Sequence, residues 1–311
     1  MADMRVLVSG SHGLIGNALV RTLRTRGYEV GRLVRRHTKS PAGPADVSWD
    51  LGSGTVDTRA MEGADALVHL AGASLARRWS SAHRERVRDS RVDGTSQLAS
   101  ALAHLDRPPA VMVSGSAIGF YGDRGDEEVT EDSEPGTGFL ADLVRAWEAA
   151  TAPAEKVGIR VVHLRSGIVQ SAAGGALGKQ LPLFKLGLGG QLGPGRQYVS
   201  WIALADEVGA ILHAITHDSV KGALNATAPN PVTNADYTRV LGAAVGRPTL
   251  LRVPSPVLSL AFGPEMARET VLISQRVRPA RLEATGYQFR HPDLAGALDA
   301  ALGRGGDAAT T

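Results

Sequence analysis

The sequence predicts an α/β fold: a doubly wound parallel sheet followed by a smaller C-terminal α/β lobe. Three observations predict it. Short β-branched runs alternate with longer amphipathic segments through the first half of the 311 residues. The runs are apolar almost without interruption, as strands buried on both faces are. After about residue 168 the rhythm gives way to the glycine-rich "AAGGALGKQ" and "LGLGGQLGPGRQ" and then to proline-punctuated segments.

Taken in order, "RVLVS" (5–9) reads as the first strand, and 13–27 as a helix ending on Gly27. "YEVGRLVR" (28–35) and "DALVHLAG" (65–72) follow as strands, and 81–104 as a helical region. "AVMVSGS" (110–116) is a buried strand, 138–158 a helix and "RVVHLRSG" (160–167) a strand. This divides the chain into a first domain over 1–167, to which 203–228 returns, a lobe over 168–302, and a flexible tail over 303–311. The lobe is the place for a substrate, and monomer and homodimer are both compatible with the pattern.

Composition narrows the function classes. With 43% apolar and 21% charged residues the chain is an ordinary globular one. No apolar run approaches the ~20 residues that span a bilayer, so no membrane partner is expected. The start "MADMRVLVSG" runs straight into a strand without a signal-like apolar stretch, which predicts a cytoplasmic location. Net charge is +3, and the 81–93 helix mixes Arg84, Arg88 and Arg91 with Glu85, Asp89 and Asp93; that is a solvated face, not a nucleic-acid stripe. The absence of cysteine excludes thiolate metal sites and thiol nucleophiles, and no His, Asp or Glu cluster has metal-ligand spacing.

The loop "GSHGLIG" (Gly10, Ser11, His12, Gly13, Leu14, Ile15, Gly16) lies between the first strand and the first helix. Glycines there permit a tight turn, close approach of backbone to a pyrophosphate, and packing of helix on sheet, while the helix N-terminus supplies amides. A plain strand-to-helix turn is the alternative. The second strand ends "RLVRR", with Arg32, Arg35 and Arg36 and no acid at its tip. Arginine suits a 2′-phosphate where an acid would bind a 2′-hydroxyl, so NADP(H) is the expected cofactor and Arg35 and Arg36 its selectors.

Further motifs, among them "HLAG", "SRVDGT", "SGSAIGFYGDRGD", "TEDS", "LRSGIV", "WIALAD", "NATAPNPVTN" and "SQRVRPARLEATGYQFRHPDL", recur in one order. Together they resemble the atypical short-chain dehydrogenase/reductases of the epimerase family over about residues 4–302. The resemblance implies an extended-type Rossmann fold, NADP as cofactor and a C-terminal substrate lobe. It also implies that Asp50 and Leu51 face the adenine, Asp50 being otherwise a turn residue, and that Leu70, Ala71 and Gly72 line the ribose and pyrophosphate.

The same resemblance exposes a gap. Short-chain dehydrogenases move a hydride with Ser, Tyr and Lys, the Lys lowering the Tyr pKa; Tyr and Lys sit one turn apart on one helix face. Aligned on Glu148, the Tyr position falls on Leu140 or Phe139, and the Lys position on Val144 or Leu143. The serine position fits Ser116, with Ser114 as the alternative register. Tyr121 is the only tyrosine near the presumed site in sequence, either a proton donor or a packing residue. Arg91 stands where an Asn usually precedes "xxGT". Ala203 replaces an expected His, leaving Asp206 to cap the next helix. Val199 replaces a diphosphate-binding Arg, for which Arg196 is a candidate substitute. Arg91, Arg196 and Trp201 are therefore candidate substrate-lining residues, Trp201 being equally readable as core. Two functions follow: an NADP-dependent oxidoreductase or epimerase-like enzyme acting on a small molecule, or a catalytically silent NADP(H)-binding sensor.

Overall fold

The computed structural model describes residues 4–34, 45–75, 77 and 79–304. From the N-terminus the elements are β1 (Arg5–Ser9), α1 (Leu14–Thr25), β2 (Glu29–Val34), β3 (Val47–Asp50), β4 (Thr55–Val56), β5 (Ala66–His69), α2 (Ser81–Ala103) and β6 (Val111–Ala117). Next come β7 (Glu128–Val129), α3 (Phe139–Ala149), α4 (Ala152–Lys156), β8 (Arg160–Ser166), β9 (Ile168–Gln170), α5 (Gly175–Lys185), β10 (Gly190–Leu192), β11 (Tyr198–Val199) and β12 (Trp201–Ala203). The chain continues through α6 (Leu204–Thr216), β13 (Gly222–Ala226), β14 (Val232–Thr233), α7 (Asn234–Val245), β15 (Leu251–Val253), α8 (Ser255–Phe262), α9 (Pro264–Met266), β16 (Arg276–Val277), α10 (Ala280–Ala284) and α11 (Leu294–Ala301).

Eight strands form the main sheet in the order β13-β8-β6-β5-β1-β2-β3-β4, parallel except for the β3–β4 hairpin. Alternate residues of each central strand enter different cores. Val6 and Val8 of β1 pack with Leu19 and Leu23 of α1 and with Ile211 and Ile215 of α6. Leu7 packs with Trp49, Leu98, Leu102 and Met112 on the opposite face. Burial on both faces is the reason the strands read as continuous apolar runs. The fold is the doubly wound parallel sheet that the alternation predicts.

Two local expectations change. The helix expected over 138–158 is two helices, α3 and α4, separated at Ala150–Thr151, where the Thr151 hydroxyl bonds back to the Glu148 carbonyl. Asp206 does not cap α6, whose first residues carry no side-chain cap. It is fully buried and accepts from the amides of Arg290 and His291 and from the Tyr287 hydroxyl, tying the C-terminal segment to the sheet domain.

The strand order reverses between β1 and β5. In open α/β sheets this crevice, at the carboxyl ends of the strands, is where ligands bind. Residues 168–203 and 228–302 build most of the lobe, whose core joins Leu177, Leu181, Trp201, Tyr237, Leu241 and Leu298. Among the described residues no helix is long and apolar enough to cross a membrane.

Candidate functional site

The glycine loop occupies the reversal point. Gly10 has φ +69°, and a Cβ on it would lie 2.6 Å from the Leu70 carbonyl carbon and 2.8 Å from the Ala71 nitrogen. A Cβ on Gly16 would lie 2.3 Å from the Gly10 oxygen. Only glycine therefore lets the β1–α1 turn, the start of α1 and the end of β5 meet. Gly13 precedes α1 without a side-chain cap, and the first turn holds no acidic residue. The helix thus presents amides and a positive dipole end to the crevice. Ser11 is buried, whereas His12 is exposed, and Leu14 packs close to Gly174 and Gly175 at the start of α5.

Beneath the loop the Ser9 hydroxyl accepts from the amides of Leu70 and Ala71 (3.1 and 3.3 Å) and lies 2.6 Å from His69 Nδ1. This hydroxyl fixes Leu70, Ala71 and Gly72 against the glycine loop. His69 is fully buried with Nε2 unpartnered; burial, reinforced by the nearby Arg91 cation, pushes its pKa down to about 4. Arg91 donates to the Ala73 carbonyl at 2.9 Å and its guanidinium lies against the face of Trp147. A Cβ on Gly72 would lie 3.3 Å from the Arg91 guanidinium carbon. Burial lowers the Arg91 pKa to about 10, and among the described residues no carboxylate pairs with it.

Asp50 is exposed at the end of β3, where its carboxylate accepts from the Gly52 amide and the Ser53 hydroxyl; Leu51 packs beside Trp49. Arg35 and Arg36 lie outside the described residues. Arg32 does not stand free of acids as the strand tip suggests. Asp46, entering from the β3 side, takes its guanidinium in a two-pronged pair of 2.6 and 3.1 Å.

A second cluster sits past β6. Ser116 donates to Glu148 Oε1 at 2.6 Å, and Glu148 forms a two-pronged ion pair with Arg165 (2.8 and 2.9 Å). Arg165 also donates to the Tyr121 hydroxyl at 3.0 Å and stacks 3.5 Å from the centre of the Phe120 ring. Although burial raises the Glu148 pKa, Arg165 beside it holds it below the ordinary carboxylate value. Tyr121 is 0% exposed, and its hydroxyl donates to Asn225 Oδ1 at 2.7 Å while accepting from Arg165. Burial pushes its pKa up. Of the two readings of Tyr121, proton donor or packing residue, the geometry favours the packing residue: its one proton is committed to Asn225 and the side chain has no exposed surface. Leu140 and Val144 flank Gly119, three residues beyond Ser116. Glu269, from a π-helical turn of the lobe (Ala267–Val271), accepts from the amides of Phe139 and Leu140 and so caps α3.

The remaining candidates part company. Trp201 is fully buried in the lobe core with its indole N–H donated to the Asn230 carbonyl, so it cannot line a substrate surface. Arg196 is exposed in the loop before β11. Glu148, Arg165, Asn225 and Glu269 join the candidate cluster without having been candidates from the sequence. The available signal was a charged residue inside a strand otherwise buried on both faces, the Arg of "RVVHLRSG".

Over residues 6–226 the chain matches the NAD dependent epimerase/dehydratase family, and over 253–301 a domain of unknown function, DUF1731. It is 46% identical over 307 residues to Epimerase family protein Mb2239 of Mycobacterium bovis, covering 98% of this chain and 100% of the relative. It resembles the crystal structure of human epimerase family protein SDR39U1 (isoform 2) with NADPH, at TM-score 0.86 and 38% identity over 96% of this chain and 99% of the other. The UDP-glucose 4-epimerase of Thermus thermophilus, in complex with NAD, shares the fold at TM-score 0.73 and 20% identity over 97% and 98% of the chains.

Proposed function

We propose, from the premise that this chain belongs to the NAD-dependent epimerase/dehydratase family, that it is an NADP(H)-dependent oxidoreductase or epimerase of the short-chain dehydrogenase type acting on a small molecule. One observation carries the reading: the uncapped start of α1 and the Leu70–Gly72 edge meet at the strand-order reversal across glycines whose Cβ positions are filled by backbone. The NADPH held by the human relative supports the phosphorylated cofactor. The loop from Gly10 to Gly16 would hold the pyrophosphate, Leu70 to Gly72 the ribose side, Asp50 and Leu51 the adenine, and Arg35 and Arg36 the 2′-phosphate. When bound, the nicotinamide supplies or accepts a hydride.

The chain's own part is positioning. Ser116, its proton committed to an ionised Glu148, offers lone pairs to a substrate hydroxyl, and Arg165 holds that carboxylate in place. None of the groups assembled around Ser116 offers a proton at neutral pH: Leu140 and Val144 are apolar, and Tyr121 is buried with its proton donated to Asn225. Proton exchange is therefore assigned to solvent or to the substrate itself. That same shortage favours the second reading, an NADP(H)-binding sensor without turnover.

Fluorescence titration tests the cofactor. Arg35→Ala with Arg36→Ala should lower the NADPH-to-NADH affinity ratio at least about tenfold, the worth of a lost charged contact; an unchanged ratio defeats the assignment. NADPH oxidation against a panel of carbonyls and enones then tests catalysis. Turnover slowed by Ser116→Ala supports the enzyme. Tight NADPH binding without turnover, accompanied by stability that differs between the reduced and oxidised cofactor, supports the sensor.

A further inference from the structure

Of the nine large apolar side chains exposed among the described residues, eight fall in two segments of the lobe, one ending α5 and one spanning β15 and α8. The segments lie side by side. Gly190 of β10 stands opposite Leu251 of β15, and Gly193 donates to the Val253 carbonyl at 2.8 Å. Arg247 reaches from the turn before β15 to the Lys185 carbonyl at 3.0 Å. In these adjacent segments Leu186, Leu188 and Leu250 are 72%, 55% and 88% exposed, and Leu260 of α8 is 83% exposed. Helix α8, "SPVLSLAF", holds no charged residue, and Leu258 is its only fully buried side chain. A surface helix of a water-soluble domain ordinarily turns charged residues outward, and an apolar patch of this kind marks an interaction site.

Charge says what the face meets. Across residues 174–205 the charged side chains are Lys179, Lys185 and Arg196, and across 240–264 they are Arg247 and Arg252; neither segment contains an acid. Lys179, Lys185, Arg247 and Arg252 are exposed around the apolar face. A second copy docked about a two-fold axis would set these cations against themselves, whereas an anionic lipid surface accepts both the apolar face and its basic fringe. We propose that this face of the lobe docks reversibly on anionic bilayers, with Leu186, Leu250 and Leu260 entering the interface and Lys185, Arg247 and Arg252 meeting the headgroups. No spanning segment is required, so the composition that argues against a membrane partner does not bear on it. The docking face is separate from the glycine-loop crevice, and the proposal stands whichever function that crevice serves.

The test is co-sedimentation of the full chain with vesicles of phosphatidylcholine alone or mixed with phosphatidylglycerol. Binding should rise with the phosphatidylglycerol fraction and fall with added NaCl. Leu260→Glu or Leu186→Glu should each reduce it at least about tenfold, and Lys185→Glu with Arg252→Glu should remove the preference for the anionic lipid. NADPH fluorescence titration of each variant checks that it remains folded. Absence of binding to either vesicle overturns the proposal. So does binding that Leu260→Glu leaves intact, or a wild-type dimer that Leu260→Glu splits without any lipid binding, which would make the face a self-association surface.

Discussion

Glu207→Gln is expected to gain stability relative to the unaltered protein as pH rises from about 4.5 to 7. Two fully buried groups titrate in opposite senses across this range. Burial raises the Glu207 pKa from 4.5 to about 7, against the opposing hydrogen bond that the Ser166 hydroxyl donates at 2.5 Å, and Oε2 has no partner. Its folded pKa is raised, so its contribution is complete below 4.5 and lost as pH rises toward 7. Burial, with Arg91 adding to it, lowers His69 from 6.5 to about 4. Its neutral form is the one that fits the fold, so its contribution is complete above 6.5 and lost as pH falls toward 4. At about 1.4 kcal/mol per pH unit, each displacement is worth about 3 kcal/mol.

Between about pH 4.5 and 6.5 the slopes of these two groups are opposite in sign, so each masks the other in the unaltered protein. Glutamine keeps an acceptor for Ser166 and removes the Glu207 titration, so the difference between variant and wild type isolates that one group. Urea unfolding at intervals from pH 4.5 to 8 reads the result. The stability difference, variant minus wild type, should climb by about 3 kcal/mol from the acid end to pH 8. A difference that stays constant across that range refutes the reasoning, because it would mean Glu207 keeps an ordinary pKa in the folded protein.

Gly16→Ala should destabilise the protein by about 1–3 kcal/mol through overpacking against the Gly10 carbonyl, outweighing a helix-propensity gain of about 1 kcal/mol, and should weaken NADPH binding measured by fluorescence; a gain in urea midpoint with unchanged affinity would contradict the packing described. Glu148→Gln leaves the Arg165 guanidinium buried without its counter-charge and should cost about 3–5 kcal/mol in urea unfolding near neutral pH. Because the Glu148 pKa is lowered in the fold, that cost should shrink as pH falls below its ordinary value of 4.5, and a cost independent of pH would count against the ion pair.

The glycine loop and the strand alternation were legible because they depend on neighbours in sequence: a strand buried on both faces, a turn, and a helix start lie within 25 residues. The cluster around Ser116 was not. Arg165 and Glu148 are 17 residues apart on different elements, and the Tyr121 hydroxyl meets Asn225 only because β13 adds to the sheet beside β8. Asp206 illustrates the same limit from the other side. Its place near a helix start suggests a cap, but it serves a segment more than 80 residues later. Arg32 likewise looks like a free cation from its strand, and its partner Asp46 arrives from the approach to the next one. Local chemistry announces itself in the sequence; a charge whose partner comes from another element does not.

The distribution of charge distinguishes the two candidate clusters. Around Ser116 the cation Arg165 is neutralised by Glu148, and Leu140 and Val144 add no charge. Beside Gly72 the balance is different: Arg91 is largely withdrawn from water, with its pKa lowered to about 10, and so still cationic at neutral pH without a paired carboxylate among the described residues. Holding such a cation costs stability unless an anion joins it. A phosphate or carboxylate placed beside Gly72 would offset that cost, and what it offsets would appear as ligand-linked stability. The crevice at the strand reversal is therefore electrostatically incomplete without an anion, whereas the Ser116 cluster is already closed.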